Sequence, residues 1–159
     1  MDSYKELLAQ AEALSEGNVW ILSVYANISS LLFNNMENVS WVGFYIAESR
    51  IYRTTWDPSI DKLLLGPFCG NPACTVIPFG RGVCGTAAVR KETVIVEDVG
   101  KFPGHIACDA ESRSEIVVPF FKDGRVVGVL DIDSKQKGRF GERDREGLEA
   151  ICRVIEKKL

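Results

Sequence analysis

Residues 114–134 read SEIVVPFFKDGRVVGVLDIDS, and this stretch decides the fold. The apolar segments Ser114–Phe121 and Arg125–Ser134 flank a turn that contains Asp-Gly, a dipeptide typical of β-hairpins. Successive side chains of a strand point to opposite faces, so Asp131 and Asp133 lie on one face roughly 6–7 Å apart. Carboxylates in apolar strands cost stability unless something binds them. The hairpin therefore predicts a site as well as a sheet.

The turn decides which residue faces Glu115. A two-residue turn sets Glu115 opposite Ile132. A three-residue loop at 122–124, with a bulge, sets it opposite Asp131. We predict the three-residue loop because it places all three acids on one wall. Acids gathered in this way need a shared ligand more than scattered acids do. A solvated sheet face is the alternative.

Composition restricts the class of protein. The chain has 159 residues, 46% hydrophobic and 26% charged, which predicts one domain over 1–159 with a single core. Its net charge is −3 and it has no basic run, so nucleic acid is not an expected partner. The N-terminus lacks a signal-peptide pattern, and residues 17–36 are too polar to span a bilayer. We expect a cytoplasmic protein without a membrane contact.

Hydrophobic periodicity predicts helices at both ends of the chain. Ser3-x-x-Glu6 is a capping-box pattern that begins a helix ending near Gly17, and a second helix follows from Ile21. The outer face of this second helix is uncharged, which suits either a subunit contact or packing within the domain. The remaining predicted elements are strands at 39–47, 51–56, 63–65 and 93–97, a long loop at 66–82, a helix at 82–90 and a C-terminal helix.

These elements predict an α+β fold. About six strands form a largely antiparallel sheet, with the N-terminal and C-terminal helices layered on one face and active-site loops on the other. Residues Gly80–Gly85 match G-x-G-x-x-G, but no β-α-β context surrounds them. We interpret them as the start of the short helix, where the macrodipole favours a thiolate at Cys84.

The five cysteines allow metal, redox and packing roles. Cys69, Cys74, His105 and Cys108 have poor spacing for zinc, so no metal is predicted. A redox role fits Cys74, Cys84 and Cys108, because a thiolate, a second thiol that resolves a sulfenic acid, and a nearby acid suffice to reduce a sulfoxide. We interpret His105 as a structural hydrogen-bonding residue.

At these residues the chain resembles the free methionine-(R)-sulfoxide reductases, a GAF-domain family, and the resemblance covers nearly the whole chain. The motifs that carry it are Gly66-Pro67-Phe68, Pro72-Ala73-Cys74, Gly80–Ala87, Glu97-Asp98-Val99, Gly104–Asp109, Ser114–Val117, Gly128–Ser134 and Ser40–Tyr45.

The resemblance implies roles for individual residues. It implies Cys108 as nucleophile, with Cys74 and Cys84 as partners in disulfide exchange; family members differ in whether the cysteine matching Cys84 or Cys108 is attacked first. Further implied residues are Glu115, Asp131 and Asp133 for the ammonium group and the sulfoxide oxygen, and Trp41 and Tyr45 as walls of the methyl-sulfoxide end. The resemblance also implies a free amino acid substrate, thioredoxin as reductant, no cofactor and a homodimer.

Two features depart from the family pattern. Cys69 stands where glutamine is expected, which introduces a thiol able to compete as a resolver, and the segment Arg50–Lys62, with Trp56, is longer than the usual hairpin. The rival function is a non-catalytic GAF module that senses a small ligand or redox state. We expect such a module in a longer chain beside an output domain, and an acidic pocket suits cyclic nucleotides badly.

Overall fold

The computed structural model describes residues 3–106, 108 and 110–159; Ala107 and Asp109 of the predicted motif, like Met1 and Asp2, lie outside the described residues. The helices are α1 Tyr4–Leu14, α2 Ile21–Asn35, α3 Glu48–Tyr52, α4 Gly82–Arg90 and α5 Glu142–Glu156, with a 3₁₀ turn at Val99–Lys101. The strands are β1 Trp41–Ala47, β2 Lys62–Cys69, β3 Val76–Pro78, β4 Val94–Val96, β5 Ser114–Lys122 and β6 Arg125–Ser134. Within the described ranges, no helix has the length and apolarity needed to cross a bilayer.

The six strands form one sheet in the order β3-β2-β1-β6-β5-β4, and every neighbouring pair is antiparallel. Helices α1, α2 and α5 pack on one face around a cluster that includes Ile28, Phe44 and Leu130. On the other face, α4 and the loop after β4 cover a second cluster that includes Trp41 and Val129. The predicted α+β architecture is confirmed.

Local sequence signals account for several elements. Ser3 Oγ accepts a hydrogen bond from the backbone N–H of Glu6, and the Glu6 carboxylate accepts one from the Ser3 N–H, which is the predicted capping box. The predicted bounds of α4 and β6 are confirmed. Residues close to the ends of these two elements therefore determine where they begin and end.

The strand predicted at 51–56 is wrong. The chain instead forms α3, which ends at Arg53 in the left-handed conformation with φ 54°. The buried Asp61 carboxylate accepts a hydrogen bond from the backbone N–H of Ser49 at 3.1 Å, which supports the first turn of α3. That partner lies twelve residues away, so hydrophobic periodicity does not reveal it.

The loop predicted at 66–82 is also partly wrong, because β2 continues to Cys69 and β3 follows within the same stretch. The register between β1 and β2 shifts between Gly43 and Tyr45, where Gly66 and Pro67 of β2 lie opposite Phe44 alone. Proline lacks an N–H and is tolerated in sheets at such irregularities. The proline was therefore a sign of a bulge rather than of a strand end.

The β5–β6 hairpin differs from its prediction. The turn has two residues, Asp123 (φ 52°) and Gly124 (φ 75°), between the paired Lys122 and Arg125. Positive φ at both positions is the conformation of a type I′ turn. A bulge between Phe120 and Phe121 then shifts the register by one residue.

The shifted register determines which acids are neighbours. Glu115 lies opposite Asp133, rather than opposite Asp131 as predicted, and Asp131 lies opposite Val117. Neither of the two turns that the sequence allows includes this bulge. The three acids nevertheless share one face, as predicted, because the bulge compensates for the shorter turn.

Candidate active site

Two cross-strand rows build the wall of the site. Trp41, Asp133 and Glu115 are directly opposite one another across β1, β6 and β5. In the next row on the same face, Gly43 lies opposite Asp131. Directly opposite residues place their side chains on the same face of a sheet. The sheet therefore brings the three acids and an aromatic ring together.

Gly43 gives the Trp41 ring its place. A Cβ at Gly43 would lie 2.5 Å from Trp41 Cη2 and 2.5 Å from Phe68 Cβ, so only glycine allows the ring to lie across the strand. The ring stacks on Phe68 with centroids 5.3 Å apart. Its Nε1–H donates to the carbonyl oxygen of Asn71 at 2.9 Å. Trp41 thus supports the loop that carries Cys74.

Tyr45 also contacts the loop that carries Cys74. Its hydroxyl donates to the carbonyl oxygen of Cys74 at 2.9 Å. Burial, followed by the charge of Asp131, raises the pKa of Tyr45, so the phenol stays protonated as a donor. Cys74 is joined to Cys108 by a disulfide with the Cα atoms 5.3 Å apart. Two of the four residues weighed as zinc ligands, Cys74 and Cys108, are therefore bonded to each other.

Cys84 lies in the first turn of α4, buried and free. Its thiol donates to Glu115 Oε1 across 3.9 Å. Burial, and then the negative charges of Asp131, Glu115 and Asp133, raise the pKa of Cys84 well above its usual value. The prediction of a thiolate stabilised by the macrodipole is therefore wrong, because desolvation and three carboxylates outweigh the partial charge of a helix end.

The carboxyls are themselves perturbed. Burial, and then the charge of Asp133, raises the pKa of Glu115 to about 8. Burial and Glu115 raise the pKa of Asp131 well above its usual value. Asp131 Oδ1 is buried, and no described residue donates a hydrogen bond to it. The Asp133 carboxylate accepts a hydrogen bond from Ser112 Oγ at 3.2 Å. The wall can therefore hold protons, and it leaves an acceptor for a ligand.

His105 Nε2 lies 3.6 Å from Glu115 Oε2. Burial lowers the pKa of His105, while that of Glu115 is raised to about 8. At neutral pH the imidazole is therefore mostly uncharged and the carboxyl mostly protonated, so this contact is not an ion pair. His105 therefore contacts the acidic wall, in addition to the structural role in the loop that the sequence predicted for it.

Seven of the eight residues predicted for the site line one cavity of about 30 Å³. They are Trp41, Tyr45, Cys84, Cys108, Glu115, Asp131 and Asp133. The eighth, Cys74, is joined to it through the disulfide. One ligand atom from each of Cys84, Glu115 and Asp131 lies within 4.8 Å of the others, so these three are the described residues best able to surround a small cation.

Comparisons with known proteins identify the family. A family model described as GAF domain matches residues 24–157. Protein YtsP of Bacillus subtilis (strain 168) is 49% identical over 156 residues, which are 98% of this chain and 90% of that protein. A protein of Escherichia coli (strain K12) named free methionine-R-sulfoxide reductase is 44% identical over 98% of this chain and 88% of its own length. The chain belongs to the free methionine-R-sulfoxide reductase family.

A solved structure of this family has the same fold. The structure of fRMsr of Staphylococcus aureus in complex with substrate is 47% identical and superposes with a TM-score of 0.86 over 98% of this chain and 95% of that chain. The family resemblance drawn from the sequence motifs is therefore confirmed.

The cysteine that departs from the family pattern, Cys69, lies on the other side of the sheet. It is opposite Val42, whose side chain belongs to the cluster under α1, α2 and α5. Its neighbour Phe68 packs on the site face. Because side chains alternate along a strand, Cys69 points away from the Cys74–Cys108 disulfide.

The sequence did not predict that Ser112 and His105 belong to the site. Both line the cavity. Ser112 lies in a loop without a motif, and no signal in the chain singles it out. His105 offered a signal, since it is the single histidine and lies three residues before Cys108. Its contact with Glu115 depends on how the loop folds back over the sheet.

Proposed function

We propose that this protein reduces free L-methionine-(R)-sulfoxide to L-methionine. The observation that carries the proposal is the Cys74–Cys108 disulfide closing over a wall of three buried carboxyls. Family membership supports it, since the Escherichia coli relative is named for this activity.

The acidic wall supports a free amino acid as substrate. The three acids of the wall, Glu115, Asp131 and Asp133, are each no more than 7% exposed. No described residue donates a hydrogen bond to Asp131 Oδ1. An ammonium group supplies donors and a positive charge, which compensates for the burial of those carboxyls that are ionised. A methionine inside a polypeptide has no such group.

Cys108 is the proposed nucleophile. Its thiolate attacks the sulfoxide sulfur, the oxygen passes to the cysteine sulfur with uptake of one proton, and methionine leaves while Cys108 becomes a sulfenic acid. The sulfoxide is reduced by two electrons and the cysteine is oxidised by two. Cys84 fits nucleophilic attack less well, because its raised pKa keeps it a thiol. We assign it to hydrogen bonding with Glu115.

Glu115 is the proposed proton source. A carboxyl with a pKa of about 8 is mostly protonated at neutral pH and can donate to the sulfoxide oxygen. The hydroxyl of the sulfenic acid then leaves as water when the Cys74 thiol attacks the Cys108 sulfur, forming the disulfide. Trp41 and Tyr45 would enclose the methyl-sulfoxide end.

A dithiol must reduce this disulfide in every cycle, and we propose thioredoxin in a reducing cytoplasm for that role. Thioredoxin reduces disulfides by thiolate attack and has a potential suited to the cytosol. Cys74 is half-buried rather than fully buried, which is consistent with access of a reductant to the disulfide.

We also propose a homodimer. Trp20 and Leu22 are 69% and 41% exposed where α2 begins, beside the uncharged outer residues Asn27 and Ser30. Contiguous exposed apolar side chains commonly mark protein contacts. Sedimentation equilibrium should give twice the chain mass for the wild type, and Trp20→Lys should shift the protein towards monomer. A monomeric wild type refutes the dimer.

The test of the activity uses pre-reduced protein and free L-methionine-(R)-sulfoxide, with thiols and methionine counted. One methionine should form as two thiols disappear in the wild type. Cys108→Ser should form none, whereas Cys74→Ser should form one methionine and retain a sulfenic acid that dimedone traps. A wild type that forms no methionine and loses no thiols would instead be a non-catalytic GAF sensor.

A further inference from the structure

A second cavity, of about 410 Å³, lies at the far end of the β5–β6 hairpin. Trp56 lines it, together with Arg50, Arg53, Lys122 and Arg125. Its volume is in the range of cavities that bind small organic ligands. Along β6, Arg125 is eight residues from Asp133, or roughly 26 Å at the rise of a strand, so this cavity is separate from the acidic site.

The charge of this cavity opposes that of the whole chain. Four of its lining residues are cationic and one, Asp123, is acidic, whereas the chain carries a net charge of −3. Among the residues that the structure describes, none forms an ion pair with any of the four cations. Concentrated positive charge without protein counterions attracts anions.

Trp56 adds a donor without an acceptor. Its Nε1 is buried, and no described residue accepts its hydrogen bond. Lys91 Nζ lies 5.4 Å and the Arg125 guanidinium 5.7 Å from the centroid of its ring. Buried indole N–H groups ordinarily find a partner. An anion oxygen in the cavity would supply that partner.

We propose that this cavity binds a small phosphate-bearing molecule. Arginine presents a planar fork of donors that matches phosphate oxygens, and the cavity has three arginines and a lysine. A phosphate group carries enough negative charge to offset several of them and enough acceptors for the Trp56 N–H. The longer Arg50–Lys62 segment then has a use, because it supplies Arg50, Arg53 and Trp56 to the cavity.

The test follows the three indole N–H signals of the full-length protein by NMR, with Trp56→Phe used for assignment. Titration with inorganic phosphate should shift the Trp56 signal saturably and leave the Trp20 and Trp41 signals in place. Sodium chloride at equal ionic strength should not shift it. Titration with adenosine monophosphate, compared with inorganic phosphate, distinguishes an organic phosphate from the free ion as the better ligand, and adenosine is the control that lacks the phosphate.

Two variants test the cations. Arg125→Gln and Arg53→Asn should each weaken phosphate binding roughly tenfold, as expected for loss of a charge-assisted hydrogen bond. Asparagine tolerates the left-handed backbone at position 53, where φ is 54°, so this variant should fold. Arg153→Gln, at an exposed position of α5 that does not line the cavity, is the control and should bind within twofold of wild type. No saturable shift, an equal shift with chloride, or equal binding by all variants would overturn the proposal.

Discussion

At the scale of single residues, Glu115 has an ionisation that depends on the whole sheet. Burial and the neighbouring Asp133 raise its pKa from 4.5 to about 8. The folded protein thus holds a proton that the unfolded chain releases above pH 4.5. The stability contributed by this group is present below pH 4.5 and is lost as the pH rises towards 8.

Glu115→Gln should therefore become more stable relative to wild type as the pH rises. The difference in unfolding free energy should grow by about 1.4 kcal/mol per pH unit between pH 5 and 8 and then level off. Urea unfolding of the disulfide form across this range measures it. Glu16→Gln, an exposed control, should show no such growth. A pH-independent difference for Glu115→Gln would contradict the raised pKa.

Cys69→Ser should leave the redox chemistry unchanged. Cys69 shares the helix-side face with Val42, so its thiol cannot reach the Cys74–Cys108 pair without unfolding the strand edge. We expect two thiols lost per methionine in both proteins, measured by thiol titration after one addition of sulfoxide. If a sulfenic acid can be trapped in Cys69→Ser but not in the wild type, Cys69 competes as a resolver of that sulfenic acid.

At the scale of elements, Gly43 connects strand geometry to the site. In Gly43→Ala the new Cβ meets the Trp41 ring and Phe68 at 2.5 Å, so the ring must move. We expect a loss of about 1–3 kcal/mol in stability and a shift in tryptophan emission. Gly141→Ala, where the added Cβ meets no atom within 4 Å, should lose less than about 1 kcal/mol. Equal losses would show that close approach at Gly43 is unimportant.

The elements also show what a sequence can predict. The bounds of α4 and β6 and the capping box of α1 follow from adjacent residues. The pairing of Glu115 with Asp133 does not, because a bulge near Phe121 corrects the register of a turn that hydrophobic alternation alone misjudges. Helix α3 likewise depends on Asp61, a tertiary partner. The acids and cysteines that line the acidic cavity stand out in the sequence by their chemistry, whereas their pairing across the sheet depends on long-range contacts.

At the scale of the whole molecule, the disulfide form has a narrow acidic cavity. Its acidic cavity of about 30 Å³ has room for one or two water molecules, far less than a free amino acid requires. Calorimetry should detect no binding of the sulfoxide to oxidised wild type and saturable binding to Cys108→Ser, which cannot form the disulfide. Equal affinity of both proteins would show that the disulfide does not close the site.

The narrowness of this cavity has a consequence for steady-state kinetics. If oxidised protein excludes the sulfoxide, then sulfoxide and dithiol reductant can never occupy the enzyme together, and the two half-reactions alternate as a ping-pong cycle. Double-reciprocal plots at several reductant concentrations would be parallel lines. Excess sulfoxide would not obstruct the reductant, so turnover at high substrate would follow the supply of reducing equivalents alone.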